Sequence, residues 1–395
     1  MVSGTIVVTD ADERAALAAT RSLGRAGWRI VAGGTGQTSL AGRSRYSAKS
    51  ISIPDALREP AAFAERLVQV ASAEGASYVI PISEASLLAI LPHRERFPPG
   101  AIPWPGLQAV RAICDKRRVL EAAPAFGIGV PRQIVVDGPR GLRQLPDLSW
   151  PVVVKPARSV NQADGMTEKF TVRHAASAAE LEQVTSTYPA AAYPLMLQER
   201  VIGPGIGIFL LVWDNVVRAS FAHRRLREKP PSGGVSVYRE SIAAEPALVE
   251  RSRRLLEHFG WQGVAMVEYK VDERTGTPML MEINGRFWGS LQLAVDAGVD
   301  FPRLLIECAE GRPAAAPASY AIGTRLRWWW GDVDQLLLRL RRSSEELGLP
   351  PGSPGRLQAL GEFMNVLRAG DRNEILRFDD PVPFLHESLH WFLGR

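Results

Sequence analysis

Two acids, an amide and an arginine, spaced along two β-prone segments, are the residues best placed to do chemistry. Residues 279–286 read Met-Leu-Met-Glu-Ile-Asn-Gly-Arg, and a second acid, Glu268, lies one segment upstream. Residues 264–271 are apolar and β-prone, residues 272–278 carry turn chemistry, and residues 279–283 are β-prone again. A hairpin turning about Thr275 puts Glu268 opposite Glu282, and alternation puts Asn284 on the face of Glu282. Like charges so opposed repel unless a cation lies between them. Carboxylate and amide oxygens suit Mg2+, which takes one or two carboxylates and completes its shell with phosphate oxygens and water. Arg286 leaves the strand end with a planar fork for a phosphoryl or carboxylate oxygen. Taken alone, the same residues equally describe a solvent-facing hairpin with ordinary charges.

Cations stand elsewhere in the chain. Lys155 closes the apolar run Pro151-Val-Val-Val-Lys155-Pro156, where an ammonium either meets an anion or snorkels to the surface. Lys116 follows Asp115, a helix N-cap, and so sits where a helix terminus already favours anions; a solvated surface lysine is the alternative. Gln198-Glu199-Arg200-Val201 ends a strand at 195–201, and its backbone could read an adenine edge or simply border a sheet. Residues 157–166, with Asn161, Gln162, Asp164 and Gly165, read as a lid over phosphates or as a connector. The densest basic cluster, residues 223–234, ends too rich in Pro and Gly to continue as a strand or helix. It is expected to be a flexible arginine-bearing loop suited to carboxylate or phosphate capture, or a solvated hairpin tip.

The elements that must position these groups form a regular series. Strands at 5–9, 28–32 and 78–82 alternate with helices at 11–24, 61–74 and from Ser86, the pattern of a parallel sheet covered by helices. The first strand–helix turn lacks GxGxxG, and Asp10 and Asp12 would repel a pyrophosphate there. A Pro- and Gly-rich stretch at 97–106 marks a domain junction, and Pro124 should shorten the helix begun at Lys116. Trp328-Trp329-Trp330 reads as the start of a core-packing helix, with docking to a membrane surface or a partner as the second reading.

Composition narrows the class. With 46% hydrophobic and 23% charged residues the chain is an ordinary globular one, long enough for about two to three domains. Two distant cysteines, Cys114 and Cys308, argue against a disulfide framework or a zinc site and fit a reducing cytoplasm. A net charge of +5 from scattered arginines fits anionic small molecules, and no nucleic-acid motif accompanies it. Neither a signal peptide nor a membrane-spanning run is expected.

In sequence order, Asp115-Lys116, the Val-Val-Val-Lys155-Pro strand, Gln198-Glu199, Glu268 and Glu282-Ile-Asn284-Gly-Arg286 resemble the ATP-grasp superfamily. The chain is similar in particular to bacterial ATP-grasp carboxylate–amine ligases. The resemblance implies an α/β and α+β chain with a Rossmann-like pre-ATP-grasp domain at 1–105. A two-lobed ATP-grasp fold would follow, its lobes at 106–200 and 201–312, and then a mainly helical C-terminal extension at 313–395. It implies ATP phosphates at Lys116 and Lys155, with Arg158 and Ser159 in a glycine-poor lid. The adenine hinge would be Gln198, Glu199, Arg200 and Val201. Mg2+, or Mn2+ in its place, would lie on Glu268, Glu282 and Asn284, with Arg286 as the catalytic arginine on the transferring phosphoryl group. His223, Arg224, Arg225, Arg227, Ser232, Gly233 and Gly234 are implied to hold the acid. Ile206 and Gly207 stand where many relatives carry an acid for the ribose.

The activity so implied is formation of an acyl phosphate from a small carboxylic acid and its capture by an amine or similar nucleophile. Peripheral membrane contact by the C-terminal region and a homodimer are both allowed. Two other readings stand beside it: a non-catalytic ATP-binding sensor or scaffold, and a carboxylase using bicarbonate.

Overall fold

Wholly buried β-branched strands form the centre of the N-terminal layer. It comprises β1 (Thr5–Val8), α1 (Arg14–Arg25), β2 (Arg29–Gly34), β3 (Ser47–Ser52), α2 (Pro60–Ala73), β4 (Ala76–Ile80) and α3 (Glu84–Ile90). The computed structural model describes residues 4–144, 149–163, 166–312, 317, 319–350, 352–365 and 370–394. The four strands are parallel in the order β3-β2-β1-β4, so the direction of winding reverses between β1 and β4. Asp10, just past β1 at φ 51°, ties this switch point together. Its carboxylate accepts from the backbone N–H of Ile82 and Ser83 and from the Ser86 hydroxyl, fixing the loop after β4.

The next unit contains α4 (Leu107–Cys114), α5 (Lys116–Ala122), β5 (Gln133–Val136), β6 (Val152–Pro156), β7 (Val160–Ala163), β8 (Met166–Lys169), β9 (Arg173–Ala175), α6 (Ala178–Ser186) and β10 (Leu195–Glu199). Asp115 caps α5 by accepting from the Arg118 N–H, and α5 stops at Ala122, two residues before Pro124. The sheet β5-β10-β6-β9 is antiparallel, and strand alternation divides its residues cleanly. Val152, Val154, Leu195 and Leu197 pack with Leu181 of α6 in a small separate core, while Val153, Lys155 and Gln198 take the other face. Helices α4 and α5 do not join that core. Val110, Ile113, Val119 and Leu120 belong to the large core shared with the first layer and the third unit.

That third unit is built on β11 (Gly205–Trp213), β12 (Val216–Lys229), β13 (Val235–Ile242), α7 (Pro246–His258), β14 (Gly263–Val271), β15 (Pro278–Asn284), α8 (Leu291–Ala297) and α9 (Phe301–Ala309). It continues through β16 (Arg325–Arg327), α10 (Trp329–Arg341), α11 (Arg356–Met364), β17 (Asp371–Asn373) and α12 (Val382–Phe392). Its seven strands run in the order β15-β14-β11-β12-β13-β16-β17.

One expectation needs correction. The basic segment after His223 is a strand as far as Lys229, paired with β13 to Lys229↔Val235, and only residues 230–234 turn. The Pro and Gly residues end the strand; they do not prevent it. The C-terminal extension is mainly helical, in α10, α11 and α12, and also adds β16 and β17 to the central sheet. The charges that disguised β16 are neutralised in place: Arg325 donates to Glu240 and Arg327 lies 3.0 Å from Asp332.

The extension then returns to the N-terminal layer through buried charge. Arg21 of α1 donates to Asp380 at 2.8 Å, with both side chains 1% exposed, and the Ser44 hydroxyl donates to the same carboxylate. Glu374 takes ion pairs from Arg14 of α1 and Arg239 of β13 together. Removing one partner of such a pair strands the other in a low-dielectric interior. Asp380→Ala is therefore expected to cost about 3–5 kcal/mol, seen as a lowered urea midpoint and faster proteolysis of the C-terminal segment. An unchanged midpoint would remove Asp380 from the forces that dock the extension.

Candidate functional site

The hairpin of β14 and β15 places Glu268 directly opposite Glu282, with Met266 opposite Asn284 in the next row. Asn284 bridges outward from this pair: its Nδ2 donates to Glu282 at 3.0 Å, and its Oδ1 accepts from Arg286 Nη2 at 3.0 Å. Arg286 also donates to the Phe287 carbonyl, which fixes the guanidinium at the strand end. Gly285 lets the chain turn here because a Cβ would lie 2.2 Å from Ile113 and 2.4 Å from Trp261. The Trp104 indole donates to its carbonyl at 3.1 Å.

Cations from two directions meet the two acids. Lys116, at the start of α5, lies 3.3 Å from Glu282 and donates to the Ser159 hydroxyl at 2.5 Å. A short bridge between Asp115 and Arg158, with Lys116 N–H donating to Ala157, holds α5 against the segment after β6. Arg158 Nε reaches Asp115 at 3.1 Å. On the other side Arg225 of β12 grips Glu268 at 2.6 Å and Glu228 at 2.7 Å.

The two acids are unequal. Burial raises the Glu282 pKa, but Lys116, the Asn284 hydrogen bond and Lys155 outweigh it and bring the pKa down to about 2. Burial likewise raises Glu268; there Arg225 cannot offset burial and the nearby Glu282, and the pKa stays above the ordinary carboxylate value. For Lys116, burial is overcome by Glu282 and Glu84, and its ammonium is held more tightly than usual.

Lys155 is the cation left over. It crosses from β6 to lie 3.9 Å from the Met281 sulfur, and among the described residues no carboxylate reaches ion-pair distance. Burial, with the positive charge of Lys116, pushes its pKa down to about 8 against the attraction of Glu282. Nearby on β9, burial and the charges of Arg200, Lys155 and Lys270 lower His174 to about 4. The face of β6 turned to the third unit is thus short of anions.

Among the described residues no three His, Cys, Asp or Glu side chains cluster as a metal site. Two carboxylates and one amide are what this hairpin offers, a set that fits a divalent cation sharing its shell with phosphate.

Not every expected residue reaches this place. Gln198 is buried with its amide donating to Gln133, and β10 ends at Glu199, whose N–H is taken by the Arg132 carbonyl. His223 is enclosed beside Phe209 and Ser290, because it faces down through the sheet. Arg224 pairs with Glu240, and Arg227 donates both arms to buried Asp332, so neither is a free anion hook. Ser232 and Gly233 lie in the β12–β13 turn, and the Gly234 carbonyl accepts from Arg225. Of the 157–166 segment, Asp164 and Gly165 fall outside the described residues; β7 and β8 on either side pair antiparallel.

One acid was missed. Glu84, in the first turn of α3, brings its carboxyl to the charges of Lys116, Arg286 and Glu282 and to the Cys114 thiol. Its Oε1 is buried without a hydrogen-bond partner in the described structure. A lone acid in a helix's first turn looks like ordinary dipole complementation in sequence, which hides such a residue.

With two lobes closing on paired acids and facing lysines, the arrangement matches known folds. The structure of L-amino acid ligase from Bacillus licheniformis superposes with a TM-score of 0.61 at 17% identity, over 78% of this chain and 74% of that one. Biotin carboxylase from Campylobacter jejuni gives 0.63 at 15% identity, over 81% and 74%. N5-carboxyaminoimidazole synthetase from Staphylococcus aureus gives 0.61 at 13%, over 82% and 81%. Residues 192–330 match the family described as ATP-grasp in the biosynthetic pathway with Ter operon. The chain has the ATP-grasp fold. No curated protein matches it significantly. Lys155, on the β5-β10-β6-β9 sheet, lies beside Met281 of β15, on the strand that carries Glu282.

The depressed Lys155 predicts a pH dependence. The unfolded lysine keeps its ordinary value of 10.5, so between about pH 8 and 10.5 the unfolded chain binds the extra proton. Stability of the ligand-free protein should therefore rise with pH across that window. Lys155→Met is expected to flatten this rise and to stabilise the protein below pH 8; urea unfolding at stepped pH measures both. Parallel pH profiles for the two proteins would contradict the assignment.

Proposed function

We propose that the chain is an ATP- and Mg2+-dependent ligase that activates a carboxylate as an acyl phosphate and passes the acyl group to an amine or similar nucleophile. The observation that carries this reading is the opposed Glu268–Glu282 pair, with Lys116 and Lys155 placed to meet phosphate and Arg286 at the strand end. Phosphoryl transfer asks a protein for positioning and charge neutralisation, and these residues supply both without a nucleophilic side chain.

In this reading Lys116 and Lys155 take the charge of the terminal phosphates, and Ser159 and Arg158 border them. Glu268, Glu282 and the Asn284 oxygen would hold the metal, which when bound neutralises phosphate charge and orients the transferred group. Asn284 turns its amide to do so, giving up its present contact with Arg286. Arg286 then faces the phosphoryl oxygens. Arg225 is released from Glu268 to the extent that the carboxylate finds another cation, and becomes available to the acid. The substrate carboxylate oxygen attacks the terminal phosphorus and ADP leaves. The nucleophile's nitrogen, as the free amine, next attacks the acyl carbon; inorganic phosphate leaves with the bonding electrons, and the proton lost from nitrogen passes to the departing phosphate or to solvent.

ADP release should require both an acid and a nucleophile, and a panel of acid and amine pairs with mass-spectrometric product detection identifies them. Glu282→Ala is expected to lower that release about a hundredfold or more, in line with removal of a principal electrostatic group, and to weaken Mn2+ binding measured without substrate. Normal product formation by this variant would sink the metal assignment. Tight ATP binding with no ADP release from any pair would favour a sensor, and bicarbonate-dependent release without an amine would favour a carboxylase.

A further inference from the structure

The last helix, α12, docks by the side that carries its hydrogen-bonding groups. The Trp328 indole donates to Glu387, the Trp330 indole to Ser388, and the Trp391 indole to Asp334 of α10. Trp391 also stacks on Trp330 with ring centroids 4.2 Å apart, Pro383 is buried, and Phe384 packs on the main core. His386 reaches Thr38 of the N-terminal layer. Every turn of the helix is fastened, so its outward face is held in one orientation.

That outward face is apolar. Val382, Leu385, Leu389 and Phe392 are the exposed residues of α12, at 46%, 63%, 58% and 70%. A surface helix normally turns its apolar stripe to the core and its polar residues to water; here the arrangement is reversed. The four side chains are spaced as the a and d positions of a heptad and form a single seam. Leu393 and Phe378, the latter 99% exposed, extend the seam at its two ends. Six of the fifteen exposed large apolar side chains among the described residues thus lie in one stretch of chain, which makes a patch and not scatter.

Charge, register and size together select what covers this patch. A helix that lies in a membrane interface carries lysine and arginine on its polar side, whereas residues 382–392 contain neither, and their polar side is already occupied by α10. Arginines near the start of the helix are engaged: Arg25 with the Asp379 carboxylate, Arg45 with the Asp379 carbonyl and Arg377 with Asp296. The seam is, in addition, its own complement. Two copies turned antiparallel about a two-fold axis level with Glu387 bring Val382 against Phe392 and Leu385 against Leu389. The smallest side chain meets the largest, no charged residue enters the seam, and helix ends of opposite polarity lie side by side. The six side chains expose on the order of several hundred Å², approaching the ~800 Å² that each partner gives to a standard-size interface.

We propose that α12 is a dimer interface, its Val382–Leu385–Leu389–Phe392 seam packing antiparallel on the same seam of a second copy of this chain. The proposal stands apart from the ligase reading. Pairing there braces α10, whose Asp332 and Asp334 hold Arg227 and Lys229 of β12.

Sedimentation velocity and light scattering on the full chain, from roughly 0.1 to 50 μM, cover the weaker standard-size interfaces. The wild type is expected to be dimeric at the upper end. Leu385→Glu/Leu389→Glu sets like charges opposite each other twice across the axis and is expected to weaken association about a hundredfold or more. Its far-UV circular dichroism should match wild type, because both positions face solvent in the monomer. Leu385→Glu/Leu389→Lys opposes unlike charges only in the antiparallel arrangement and is expected to recover much of the dimer; association as weak as that of the double glutamate overturns the antiparallel seam. Were the double-glutamate variant misfolded, Leu385→Ser/Leu389→Ser takes its place, and a dimer as tight as wild type counts against the proposal. A wild type that stays monomeric throughout, or a dimer that survives the double glutamate, overturns it. Co-sedimentation with phosphatidylcholine vesicles, with and without phosphatidylglycerol, runs in parallel. Capture of a chain that is monomeric in solution, abolished by the same substitutions, assigns the face to a membrane and overturns the dimer.

Discussion

Two carboxylates opposed across a buried hairpin repel each other, and the rest of the molecule is arranged around relieving that repulsion. Glu268 and Glu282 face each other on β14 and β15 because strand alternation and the hairpin register leave them no other choice. Each is then given its own cation from a different structural element, Glu282 from α5 and Glu268 from β12. The division is uneven. Glu282 has Lys116, Lys155 and the Asn284 amide on its side and stays strongly acidic, whereas Glu268 has only Arg225 against burial and a neighbouring charge. A divalent cation between them would relieve Glu268 most, so the less satisfied acid supplies the larger share of the drive for metal binding.

The same constraint gives the C-terminal extension a purpose. Arg225 can face Glu268 only while β12 remains extended through the basic segment, and the far end of β12 is secured by the extension. Arg227 is clamped by Asp332 and Lys229 pairs with Asp334, both from α10, while β16 zips onto β13. Further along, Glu374 joins Arg239 of the sheet to Arg14 of the N-terminal layer, and Asp380 locks Arg21. The Arg239–Glu374 and Arg21–Asp380 pairs are nearly inaccessible to water, where replacing an ion pair by packed apolar groups is often neutral but removing one partner is costly. Through Arg14 they hold the start of α1 beside Gly289.

How much of this could be read from sequence depended on the length scale of the signal. The Glu268–Glu282 register was legible because two apolar runs with a turn between them admit few alignments. Lys116 was legible through its capping neighbour Asp115. The basic segment after His223 was misread because Pro230 and Gly233 lie at its end, and a breaker signal says where a strand stops, not that one is absent. β16 and β17, at three residues each, fall below the length at which alternation can be distinguished from chance. The fates of Arg224 and Arg227 were beyond reach altogether, because their partners Glu240 and Asp332 are set by tertiary pairing across the sheet and from α10. Glu84 was hidden for a similar reason: its environment is assembled from α4, α5 and the segment after β15, none adjacent to it in sequence.

Charge is finally distributed by side as well as by residue. The face of β6 and β9 that looks across the cleft carries Lys155 and His174 beside Arg200 and Lys270, with no acid paired to Lys155. Burial first, and then neighbouring positive charge, depresses both Lys155 and His174. The opposite wall carries acids, and behind Arg286 the N-terminal layer adds one more. Arg286 stands at the boundary of those two fields, tied to Asn284 on one side and within the reach of Glu84's charge on the other.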